Sequence, residues 1–175
     1  DVEIDTELAE KILGNSAYLK DDSLAHLNEH SLEVELPILQ YFKKDFKIVP
    51  IVLLTDKPEI LKKIGQEIAG VISKPPFKGS ALIVASSDMT HYESESDARK
   101  KDKIAIDAIL ELNEDKLAQK VKQLNITMCG FAPVVAMISA AKALGAQTAE
   151  LVKYETSAEA TGDKSSVVGY AGILL

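Results

Sequence analysis

Ser86-Ser87-Asp88-Met89-Thr90-His91 sets a carboxylate and an imidazole three residues apart in a polar segment. A carboxylate beside an imidazole orients it and tunes it as an acid or base near neutral pH. The same residue types also describe an Asp capping a turn next to an exposed His, and spacing alone leaves both readings open. Cys129 is the single cysteine of the chain and is followed by Gly130. Just before a helix start, backbone N–H groups and the helix dipole stabilise a thiolate, which serves as a nucleophile or a soft metal ligand. A small buried cysteine is the alternative. Glu29-His30-Ser31 precedes a helical pattern and reads first as a helix entry, capped by Asn28 or Ser31 with Glu29 at the positive end. His26 and His30 are four apart, but Leu27-Asn28-Glu29 between them reads as a turn rather than a two-His metal clip. Tyr154 to Ser157 and Gly162 to Tyr170 flank a polar loop that either closes over a pocket or simply joins two strands.

The elements that must position these groups alternate between strand and helix patterns. Asp5 is placed to cap a helix carrying Leu8, Ile12 and Leu13, with Gly14 at its end. Leu32, Leu36 and Leu39 keep near-helical spacing, and Pro37 bends or restarts that helix. Ile48–Leu54 is a continuous apolar run, expected of a strand covered on both faces, and Ala81–Ala85 is a second. Between them Asp56 and Glu59 form a D-x-x-E box, with Pro58 in the first turn of a helix. Helices are predicted over 97–112 and 114–124, and an Ala-rich one runs from after Cys129 to Leu144, ended by Gly145. Thr148–Tyr154 and Ser166–Leu175 read as closing strands. The pattern predicts an α/β sheet in which Ala81–Ala85 delivers Asp88 and His91 to a loop at its carboxyl end, where such sheets bind ligands.

The 175 residues are enough for one core, and residues 1–175 are read as a single domain portion. A net charge of −7, from 20 Lys+Arg against 27 Asp+Glu, argues against nucleic acid as a partner. The apolar runs are strand-sized, so no membrane partner is expected. One unpaired cysteine fits a reducing compartment, and the expected location is cytoplasmic. There is no G-x-G-x-x-G, P-loop or G-x-S-x-G, which removes the usual markers of nucleotide binding and serine-elbow hydrolysis.

Five segments, in this order, resemble the Memo-like family, also called AmmeMemoRadiSam system protein B. They are Glu29–Pro37 (EHSLEVELP), Ser86–Tyr92 (SSDMTHY), Met128–Pro133 (MCGFAP), Tyr154–Ser157 (YETS) and Ser166–Ala171 (SVVGYA). The resemblance spans nearly the whole chain. It implies a three-layer-like mixed or parallel sheet flanked by helices, similar to class III extradiol ring-cleaving dioxygenases, which use non-haem iron(II). It also implies a metal pocket combining two histidines from the N-terminal part of the family protein with one cysteine, matched by Cys129. Asp88 and His91 match pocket residues, His91 standing where the related dioxygenases keep an acid/base histidine, and His30 matches the histidine of the E-H-S motif. Ser87, Tyr92, Tyr154 and Ser157 are the expected substrate contacts. The family's H-A-G-Y-like and G-P-x-H-H-like segments do not occur here, so the chain is expected to be the C-terminal portion of a longer protein.

Three functions follow from these residues. The leading one is a dioxygenase-like redox protein using iron(II) or copper, with Cys129 on the metal and His91, held by Asp88, moving protons. A second is a non-catalytic module binding a peptide or small-molecule ligand in the same loops. The third uses no metal: Cys129 as nucleophile, His91 as base and Asp88 as its orienter, giving a hydrolase or transferase.

Overall fold

The computed structural model describes all 175 residues, Asp1–Leu175. The Asp5 carboxylate accepts the Leu8 N–H at 3.0 Å and opens helix α1 (Thr6–Asn15), as the sequence predicts. Gly14 falls inside that helix and Ser16 caps it. Strand β1 (Glu3–Ile4) pairs in parallel with β2 (Lys47–Ile48). Between them the chain makes two single 3-10 turns, Ser23–His26 and Glu33–Glu35, and then α2 (Leu36–Phe42), which restarts with Pro37 in its first turn.

Helix α3 (Pro58–Ile72) begins with Pro58, and its cap residue is Lys57, with no side-chain cap. The Asp56–Glu59 box therefore does not form. The helix starts one residue later than the box requires, at the residue whose fixed φ already suits a first helical position. β3 (His91–Glu93) leads into α4 (Glu95–Leu110), capped by Ser94, and α5 (Glu114–Leu124), capped by Asn113. Helix α6 (Phe131–Leu144) starts after Gly130 and stops at Gly145, which takes the left-handed φ of 102° that glycine tolerates. β4 (Glu150–Thr156), a one-turn α7 (Ala158–Thr161) and β5 (Val167–Leu174) close the chain.

The fold is mixed α/β, with the parallel β1–β2 pair and an antiparallel sheet ordered β3-β5-β4. On β5 the residues at period two, Val167, Gly169, Ala171 and Ile173, turn inward, while Tyr170 and Leu174 are exposed. The core joins Leu61 of α3, Ala105, Ile106 and Ile109 of α4, Leu117 of α5, and Val134, Val135 and Ile138 of α6. Met89 and Met128, which bracket the two chemically interesting loops, are part of it.

The two apolar runs behave differently from the strand prediction. Only Ile48 of the first run enters a ladder, and residues 49–56 and 81–88 make no backbone–backbone hydrogen bond. Leu53 and Ala85 pack on the core, whereas Leu54, Leu82 and Val84 are exposed. The sequence specifies strands buried on both faces, but a strand forms only where a neighbour accepts its ladder, and these 175 residues supply cover on one side.

Helices α3 and α6 make the most extensive contact between elements. Gly65 permits it, since a Cβ there would overlap the Ala136 carbonyl oxygen. Gly65→Ala is expected to destabilise by about 2 kcal/mol in urea unfolding, because overpacking outweighs the roughly 1 kcal/mol gained in helix propensity. Gly14→Ala meets no atom within 4 Å and is expected to have the opposite sign.

Candidate functional site

Residues 86–91 reach the site with no ladder of their own before Met89, and other segments hold them. The Met89 N–H donates to the Gly169 carbonyl at 2.9 Å, and the Gly169 N–H returns a bond to the Thr90 carbonyl at 3.0 Å. The His91 N–H donates to Thr127 Oγ1 at 2.7 Å, and His91 lies opposite Val168 of β5. At the start of α6 the Gly130 N–H donates to Ser87 Oγ at 2.9 Å. A Cβ at Gly130 would overlap the Ser86 carbonyl and the Ser87 side chain, so only glycine lets the two loops approach this closely.

That approach brings the Asp88 N–H onto Cys129 Sγ at 3.2 Å. The donor atoms of Asp88, His91 and Cys129 all lie within 4.8 Å of one another. His91 Nε2 sits 3.4 Å from Asp88 Oδ2, long for a hydrogen bond, and it is shielded from solvent with no partner. Cys129 is exposed, so the buried-cysteine alternative does not hold. The Asp88 carboxylate accepts no backbone N–H in a turn, and the His91 side chain is only 23% exposed. The turn-cap reading of this pair therefore gives way to a convergent cluster.

Beside the cluster opens a cleft of about 400 Å³, lined by Glu35, Ser86, Ser87, Asp88, Lys153, Glu155 and Tyr170 among others. Ser86 Oγ donates to Glu35 at 3.2 Å, and Lys153 is paired with Glu155 at 2.9 Å. Burial pushes the Tyr170 hydroxyl above its ordinary pKa, and the nearby Asp88 and Tyr92 add to the effect. Tyr92 has a backbone φ of 59°, an unusual conformation for a bulky residue, and its exposed ring lies 5.7 Å from that of His91.

The other expected site residues are placed elsewhere. His30 is exposed, with Nδ1 facing Glu33 at 3.8 Å, and is not among the converging donors. Its neighbour Glu29, rather than Asn28 or Ser31, caps the local turn through the N–H groups of Ser31 and Leu32. The Tyr154 hydroxyl donates to the buried Asp102 at 2.7 Å. Ser157 Oγ accepts the Val168 N–H at 3.1 Å. Glu35 and Gly169 lie inside the quoted motifs but carry no assigned role in the sequence reading, and Thr127 and Asp102 lie outside them. Gly169 stands inside a strand pattern, where an isolated glycine marks close backbone approach, and that was the available signal. Asp102, in the helical pattern after His91, carries no signal that separates it from a solvent-facing acid.

The fold and the cluster define a mixed α/β protein whose thiol, imidazole and carboxylate meet beside its antiparallel sheet. The model of the family described as Memo-like protein matches residues 1–174, and the chain belongs to that family. Relatives described as MEMO1 family proteins are 48% identical over 174 residues in Aquifex aeolicus and 43% identical over 179 residues in Methanocaldococcus jannaschii. Those matches cover 99% and 100% of this chain but 63% and 62% of the relatives, so the chain spans a little over three-fifths of their length. No helix is long and apolar enough to cross a membrane.

Gly130→Ala is expected to push residues 86–88 away from Cys129. Amide hydrogen exchange at Asp88 should quicken by at least about tenfold, a loss of about 1.4 kcal/mol of local stability, while exchange in α4 stays unchanged.

Proposed function

We propose that this chain forms part of a metal-dependent, dioxygenase-like redox protein that uses iron(II) or copper. One observation supports this most: His91 Nε2, shielded and without a partner, faces a space it shares with the Cys129 thiol and the Asp88 carboxylate. The three atoms lie within 4.8 Å of one another, so an ion held by the Cys129 thiol would sit beside the imidazole and the carboxylate. A mixed sulfur, nitrogen and oxygen set suits first-row transition metals and does not by itself choose between iron and copper. The family resemblance implies two further histidine ligands from segments outside this sequence.

When bound, the metal would supply a redox-active Lewis acid. The protein's own groups do the rest. The Asp88 N–H bonds to Cys129 Sγ and fixes where the sulfur stands. The Asp88 carboxylate faces His91 Nε2 and holds the imidazole in line to take or give a proton. Ser87 borders the cleft and Tyr92 stands beside His91, so both are placed to meet a small-molecule or peptide ligand. In this reading Ser157 acts on the ligand through the Val168 backbone it holds and Tyr154 through the Asp102 carboxylate, and His30 keeps only the catalytic role that the E-H-S resemblance implies.

The metal-free reading, with Cys129 as nucleophile, lacks the bond it needs most. The thiol's hydrogen-bond partner is the Asp88 backbone, and no hydrogen bond joins it to His91. No observation favours that reading, or a purely binding role, over the metal centre.

Metal analysis tests the proposal. Full-length protein is expected to hold about one equivalent of iron or copper, and Cys129→Ala to reduce that at least about tenfold. Undiminished stoichiometric binding in Cys129→Ala would remove the thiol from the metal. Ligand binding retained in metal-free Cys129→Ala would support the binding module instead.

A further inference from the structure

Asp102 of α4 is wholly buried. Its Oδ1 accepts the Thr90 N–H at 2.8 Å and its Oδ2 accepts the Tyr154 hydroxyl at 2.7 Å. The cations near it in sequence are committed elsewhere: Arg99 to Glu95 and Glu159, Lys101 to Glu93, and Lys103 to Asp107. A carboxylate with no cationic partner costs several kcal/mol to bury unless hydrogen bonds satisfy it. The fold also makes room for it, since a Cβ at Gly169 would overlap Asp102 Oδ2. Three elements, α4, β4 and β5, are thus shaped around one acid.

What that acid holds is the backbone of the site. Thr90 lies between Asp88 and His91, so the bond from its N–H fixes the turn that carries both side chains to Cys129. We infer that Asp102 is the positioning residue of the Asp88–His91–Cys129 cluster, acting through the Thr90 amide and braced by Tyr154. The inference rests on the metal-binding reading above. Asp102 touches neither metal nor ligand, and its effect is on donor geometry. Groups in this role typically change metal affinity by 10- to 100-fold.

Cobalt(II) titration of the full-length protein, read by the thiolate-to-cobalt charge-transfer band, tests it. The comparison uses Asp102→Ala, Asp102→Asn and, as a control, Glu114→Gln. Glu114 is also a buried acid, but it bonds to Lys142 of α6 and to no residue of the loop. Asp102→Ala should weaken cobalt binding at least about tenfold, whereas Asp102→Asn, which keeps an oxygen for the Thr90 N–H, should stay within about threefold of the parent. Glu114→Gln should bind as the parent does. Parent-like binding by folded Asp102→Ala overturns the inference. So does an equal loss in Glu114→Gln, which would mark a general stability effect, or an equal loss in Asp102→Asn, which would mark charge rather than position. Should Asp102→Ala not fold, Tyr154→Phe carries the same comparison, with an expected loss of about tenfold, and binding within about threefold of the parent overturns the inference. If the parent itself shows no charge-transfer band, the metal reading fails on its own. Positioning is then read from alkylation of Cys129. A rate changed about fivefold or more in Asp102→Ala but unchanged in Glu114→Gln supports it, and equal rates overturn it.

Discussion

Residues 86–91 have to be held against the start of α6 although the chain before them has no strand partner, and the chemistry of this protein depends on that clamp. The bonds come from four directions: β5 through Gly169, the loop before α6 through Thr127 and Gly130, the thiol of Cys129, and α4 through Asp102. Each such bond nets about 1 kcal/mol, whereas ordering each residue of backbone costs about 1–2 kcal/mol. Hydrogen bonds alone therefore do not hold the loop. Full burial of Met89 supplies the remainder and anchors the loop's middle in the core, against the cost of the buried, unpaired Thr90 hydroxyl.

Much of this was legible in the sequence, for reasons that differ by element. Helices α4, α5 and α6 are legible from the apolar spacing over 97–112 and 114–124 and from the Gly145 stop, whereas the Ser94 cap, which starts α4 at Glu95, and the Asn113 cap come from the structure. Asp88, His91 and Cys129 were recognisable from their types and from the short motifs around them, and the structure brings these three together. His30 has an equally suggestive motif and stays apart, because Glu29 caps the turn there and leaves the imidazole facing Glu33. Asp102 was invisible: a buried carboxylate in a helix looks like a solvated one until the chain folds a backbone N–H and a phenol onto it.

The apolar runs at 48–54 and 81–85 fall short of the strand prediction for a physical reason. Hydrophobic patterning reports how much burial a segment is built for, not whether a partner is present to pair its backbone. Leu53 and Ala85 find the core on one side, while Leu54 and Leu82 are left in solvent. The exposed side chains of α2, Ile38, Tyr41 and Phe42, show the same imbalance in the segment just before them. The core itself, built from α3, α4, α5 and α6 with Met89 and Met128, is also what anchors the cluster.

Asp88 has two separate connections in that cluster, and this bears on how the site can be tuned. Its backbone N–H binds the thiol, and its carboxylate faces the imidazole. The first depends only on where the backbone runs, so any side chain at this position would keep it; the second needs the acid. Backbone position is in turn set by residues that never reach the cleft: Gly130 and Gly169 by having no side chain, Asp102 by holding the next amide but one. The chemistry of the cluster can therefore change through the side chains at 88, 91 and 129, while the spacing between them is kept by residues that act through their shape. A glycine inside a strand and a buried acid inside a helix are both costly to keep, and here both serve the geometry of the same six residues.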